Sequence, residues 1–83
     1  MEFELYVIYD SCENRYSSPV CNTNDATAMR ALANEAMREG NIWHSHPQDF
    51  TLYNIGTFYT NTGEIITHKM ERVCSINEII ERK

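Results

Sequence analysis

A chain of 83 residues is expected to form one domain, spanning 1–83. A chain this short buries only about 60–65% of its unfolded surface, so one helix against one sheet is nearly all it can build. Its 42% hydrophobic content supports a folded core, and twelve acidic against seven basic side chains give a net charge of −5. That balance disfavours a general binder of phosphate backbones. No apolar run reaches the roughly 18 residues of a membrane span, so no membrane association is expected.

The first element is a strand. Phe3, Leu5, Val7 and Tyr9 alternate with Glu4, Tyr6, Ile8 and Asp10, the period of two that a strand needs. Both faces turn apolar near Tyr6 and Ile8, which places this strand centrally in a sheet. Asp10-Ser11 and Asn14 are turn formers, and Arg15-Tyr16 resumes a short strand that Ser17-Ser18-Pro19 interrupts.

A helix is predicted over Asp25–Glu39. Asn22 or Asn24 can accept the unpaired N–H groups of its first turn, and Asp25 suits the positive end of its dipole. Ala26, Met29, Ala33, Ala36 and Met37 fall on one stripe, with Leu32 beside it. Gly40-Asn41 stops the helix. Trp43, the only tryptophan, is expected to pack over the helix end.

Pro47 opens a tight turn into a strand from about Phe50 to Thr60. Leu52, Ile55 and Phe58 cannot share a face on a strict period of two, so a bulge is predicted near Asn54–Gly56. Gly56 serves that bulge or admits a neighbouring ring or backbone. Thr62-Gly63 turns the chain into a hairpin partner, Glu64–Met70. Ser75 and Glu78 form a capping box, followed by an apolar face of Ile76, Ile79 and Ile80 that must dock on its own domain or on a partner. The expected fold class is α+β: a small antiparallel sheet of three or four strands packed by one main helix, with a short C-terminal helix. An uncovered strand edge and a small core predict a homodimer, with the isoleucine face swapped onto the neighbour or capping that edge.

Chemistry-bearing motifs are sparse. His44-Ser45-His46 lacks the spacing of a closed ligand set, so no metal is expected. Cys12, Cys21 and Cys74 are an odd set without a CxxC pair, expected as free thiols in a reducing compartment. The opening Glu2-Phe3-Glu4 has no basic and apolar leader character. No nucleophile–base pair and no Gly-rich phosphate loop is legible, so neither catalysis nor a cofactor is expected. Lys69, Arg72, Arg82 and Lys83 concentrate four basic residues near the C-terminus, diluted by Glu71, Glu78 and Glu81. Tyr6, Tyr9, Tyr16, Tyr53 and Tyr59, with Phe3, Phe50 and Phe58, suggest a sheet on which bases could stack, although aromatics also simply pack well in small sheets.

The motifs also carry a family resemblance. Tyr9-Asp10-Ser11 ends the first strand, Glu13, Tyr16 and Pro19 follow, and Ala28, Arg30 and Ala31 mark the helix. The central block runs through Asn41, His46, Pro47, Asp49, Phe50, Leu52, Tyr53, Ile55, Gly56, Phe58, Thr62 and Gly63. In these features the chain resembles the small nonstructural protein of gokushovirus-type microviruses, the phage ORF5 protein family, roughly over residues 3–65. Tyr59 stands where many members carry an aspartate. The resemblance implies a noncatalytic accessory protein of viral DNA replication in the host cytoplasm, often labelled DNA-binding. If single-stranded DNA is contacted, Arg15, Arg30, Arg38, Lys69 and Arg72 are the candidate phosphate contacts. Tyr6, Tyr53 and Tyr59 are the candidate stacking residues. The alternative is a protein-interaction adaptor for the viral replication protein or a host factor, which the acidic charge favours.

Overall fold

The computed structural model describes residues 2–81. Arg82 and Lys83, half of the basic C-terminal group, lie outside them. Nine short elements follow in order: β1 (Glu2–Asp10), β2 (Arg15–Tyr16), β3 (Val20–Asn22), α1 (Asp25–Ala36), α2 (Ile42–Ser45), a 3₁₀ turn at Pro47–Asp49, β4 (Phe50–Tyr59), β5 (Ile65–Ser75) and α3 (Ile76–Glu81). The fold is α+β: an open antiparallel sheet under one main helix, with a short C-terminal helix.

β1 is central, as its two apolar faces required. It pairs with β4 along one edge, and with β2 and then β3 along the other. β5 pairs with the far side of β4. One face of β1, carrying Tyr6 and Ile8, joins Phe50, Leu52 and Cys74 of the neighbouring strands beneath α1 and α3. Ala28, Leu32, Ala33 and Ala36 close that core from the helix side. The backbone of α1 comes nearest to α3, α2 and the edge strand β3.

The start of α1 is as expected. Asn24 caps it, its side chain accepting the Thr27 N–H at 2.9 Å. Its end is earlier: the helix stops at Ala36, and Met37 is 47% exposed instead of lying in the apolar stripe. The chain then winds through a turn in which Gly40 adopts φ +86°, so the glycine serves a second turn beyond the helix end. Asn41 immediately caps α2, accepting the Trp43 N–H at 2.7 Å. That single-turn helix and the strand β3 were not legible in the sequence; both are too short to carry a period.

The predicted bulge is present. Leu5 pairs with Gly56 and Tyr6 with Asn54, leaving Ile55 as the extra residue. β5 slips at the same level: Asn54 pairs with Glu71 but Gly56 pairs with Thr67, so His68–Met70 are out of register. Gly56 is required here. A Cβ at that position would lie 2.4 Å from the Ile66 carbonyl oxygen and 2.9 Å from the Thr67 Cα. Asn54 fastens the junction. Its Nδ2 donates to Glu4 Oε1 at 3.0 Å, while its Oδ1 accepts the Gly56 N–H at 3.2 Å and faces His68 Nε2 at 2.9 Å.

β5 runs to Ser75, five residues beyond the predicted end, and α3 begins at once. Ser75 Oγ accepts the Glu78 N–H at 3.2 Å, one half of the capping box. Ile76 is fully buried and Ile79 is buried with it in the main core. The isoleucine face is therefore used within this chain.

Candidate nucleic-acid interface

Among the described residues, the buried side chains of α1 and α3 all belong to the core on the Tyr6 and Ile8 face, which leaves the second face of the sheet without a helix in its packing. Strand alternation puts Phe3, Leu5, Val7 and Tyr9 of β1 there. Their partners Phe58, Gly56, Tyr53 and Tyr16 share it by register. Leu5 and Val7 are nonetheless buried, outside the main core. Tyr9 and Tyr16 face each other with ring centroids 4.8 Å apart, and Tyr16 meets Tyr53 edge-on at 6.4 Å. Three tyrosines from three strands thus form a row on the solvent side. Tyr16 is 51% exposed. Arg72 stands directly opposite Tyr53 across the β4–β5 ladder.

The residues that sequence reasoning nominated do not form one surface. Tyr53 and Arg72 meet on the open face. Tyr6 does not join them: it is fully buried, and its hydroxyl donates to Asp25 Oδ1 at 2.6 Å. A ring with no exposed surface offers nothing to a base. Burial, the Asp25 hydrogen bond and the charges of Asp25 and Glu4 push the Tyr6 hydroxyl well above the usual phenol range, so it remains a donor. Tyr59 pairs with Glu2 and so points to the opposite side from Tyr53. Arg30 is exposed on α1, away from the buried positions of that helix. Arg38 follows α1 and pairs with Glu35 at 3.8 Å. Arg15 reaches Glu13 at 3.7 Å, and Lys69 lies exposed in the slipped part of β5. Arg72 is bonded to Glu78 of α3, which holds the Glu78 carboxyl below its ordinary range. Three of the five nominated cations therefore already have carboxylate partners.

Tyr9 and Tyr16 were missing from the nominated stacking set. The period of two separates Tyr9 from the buried Tyr6, an odd number of residues away, and Tyr16 joins it only through the β1–β2 pairing.

The histidines have local partners. His44 Nδ1 sits 3.0 Å from the Ala36 carbonyl at the end of α1, and His46 Nδ1 is 2.9 Å from Ser45 Oγ. Among the described residues no group of three or more His, Cys, Asp or Glu side chains is placed to hold a metal ion. No helix is long and apolar enough to cross a membrane.

Fold and surface together define a small α+β protein whose sheet is covered on one face and aromatic on the other. Its sequence matches the family model described as Phage ORF5 protein over residues 3–79. The chain belongs to that family and is a phage protein. The match extends through β5 into α3, beyond the stretch over which the sequence resembled the family. No curated protein and no solved structure matches.

Proposed function

We propose that this is a noncatalytic accessory protein of a microvirus-type phage, acting in the host cytoplasm, that supports single-stranded genome synthesis by binding single-stranded DNA on the open sheet face. The observation that carries this reading is the Tyr9–Tyr16–Tyr53 row, solvent-facing and beside Arg72. Exposed aromatics on a small sheet stack bases without reading their identity, and each stacked base contributes about 1–3 kcal/mol. Stacking of this kind tolerates the net charge of −5 better than phosphate binding does. Titration of labelled single-stranded DNA at about 50 and 200 mM salt tests it. Salt-sensitive binding, weakened about tenfold or more by Tyr16→Ala or Tyr53→Ala, is the expected result. Absence of binding at the lower salt would remove the reading.

A second reading is favoured by the pairing of Arg15, Arg38 and Arg72 with carboxylates and by the outer edge of β5. That edge has no strand partner among the described residues, and Ile65 and Ile66 on it are 59% and 55% exposed. In this reading the protein is an adaptor for the viral replication protein or a host factor, and two copies pair along β5. Sedimentation across a wide concentration range distinguishes the pair from a monomer. A pull-down from infected cells that retains one specific protein, with no DNA bound in vitro, would favour this reading over the first.

A further inference from the structure

On the helix side of the sheet, at the opposite end from Gly56, the β1–β2 turn stands away from α2 and the 3₁₀ turn. Two adjoining clefts open between them. The larger, about 370 Å³, is lined by Ile8, Trp43 and Phe50 with Asp10, Arg15, Tyr16 and the two serines Ser17 and Ser18. The smaller, about 110 Å³, shares Asp10 and Phe50 and continues past Ile42 to Glu13, His46 and Asp49. The Ser11 N–H and hydroxyl both donate to the Asp49 carbonyl, at 2.9 and 3.1 Å, tying the two walls together. The groove is thus part of the folded framework.

Its chemistry is mixed in a specific way. The floor is apolar and aromatic, with the Trp43 and Phe50 rings 6.3 Å apart. Ile42, at its mouth, is 54% exposed, an apolar side chain with no role in the core. The rim carries three carboxylates, Asp10, Glu13 and Asp49, against the single guanidinium of Arg15. Asp10 commits one oxygen to the N–H groups of Cys12 and Glu13, at 3.0 and 3.3 Å. Its other oxygen has no partner among the described residues, and neither has the Asp49 carboxylate.

We propose that this groove docks a short basic and aliphatic segment of a partner protein. An apolar side chain of that segment fills the space against Trp43 and Phe50, while a lysine or arginine reaches the unengaged oxygens of Asp10 and Asp49. Charge decides between occupants. An acidic rim repels a phosphate backbone and complements a cationic peptide, and a cation beside Trp43 gains a further attraction to the ring face. The groove shares Tyr16 with the tyrosine row, so the variants that test it, at Asp10, Asp49 and Ile42, are all taken from outside that row.

Trp43 is the sole tryptophan and reports on the groove directly. Its fluorescence is followed while the full chain is titrated with three probes. These are a short capped peptide alternating leucine with arginine and lysine, the same peptide with glutamate at the basic positions, and an oligothymidylate. Saturable change with the basic peptide alone is expected. Asp10→Asn combined with Asp49→Asn should weaken it about fivefold or more. If Asp10→Asn impairs folding, Asp49→Asn with Ile42→Ser replaces it, since neither of those side chains makes a hydrogen bond. No response to the basic peptide, an equal response to the acidic one, or unaltered affinity in the variants would overturn the proposal. Displacement of the basic peptide by oligothymidylate would reassign the groove to nucleic acid and overturn it as well.

Discussion

The two faces of the sheet use the same residue type for opposite purposes. Tyr6 on the covered face has no exposed surface and its hydroxyl is tied to Asp25. Tyr9, Tyr16 and Tyr53 on the other face are half-buried or exposed, with Tyr16 in ring contact with both of the others. What separates them is one step of the chain, from Tyr6 to Val7, which reverses the side to which the side chain points. Aromatic content alone therefore says little about binding; parity within a strand determines which rings are available.

That contrast can be broken most severely at the covered face. Leu52→Ala leaves a cavity beneath α1 and is expected to cost about 2–5 kcal/mol of folding stability in urea denaturation, whereas Tyr16→Ala should cost under about 1 kcal/mol. Equal losses would mean that the open face carries as much of the fold as the core. Gly56→Ala comes next. Its methyl would meet the backbone of Ile66 and Thr67, so β5 must shift, at about 1–3 kcal/mol. Amide exchange should show faster opening of the hairpin beyond Asn54 than of β1.

Tyr6→Phe is a milder test, expected to cost about 1 kcal/mol through the lost bond to Asp25. Its pH dependence is more telling. The folded state holds the Tyr6 hydroxyl protonated above the range in which the unfolded chain ionises it. This contribution is complete below a pH of about 10 and is lost as pH rises from there through the raised folded value. Denaturation of the parent chain should therefore weaken more steeply than that of Tyr6→Phe above that pH, and parallel curves would refute it. The smallest effect is expected from Glu78→Gln, which releases Arg72 beside Tyr53. Stability should scarcely change, while the salt dependence of DNA binding steepens by about one phosphate contact.

Much of the fold was legible because its signals are periodic. Phe3–Tyr9 alternates, the alanines of α1 recur at helical spacing, and the mismatch of Leu52 with Ile55 and Phe58 required a bulge where Ile55 is extra. β3 and α2 escaped, being held by pairing to β1 and by the Asn41 cap and not by any pattern of their own. The candidate surface was less legible. Tyr53 and Arg72 could be listed but not paired, because their alignment depends on the extra residue Val73 in β5. The groove at Trp43 joins two segments far apart in sequence, and the composition of neither suggests it.

The doubled slip at Asn54–Gly56 also bears on how copies of the chain can aggregate. An outer strand of eleven residues with exposed Ile65 and Ile66 would ordinarily act as a template for open-ended stacking. Here His68–Met70 depart from the ladder midway, so an incoming strand finds two short runs at different offsets instead of one continuous edge. Fibril growth needs a long uninterrupted register, which the slip at His68–Met70 interrupts. A single two-fold contact along one run would need a much shorter uninterrupted register.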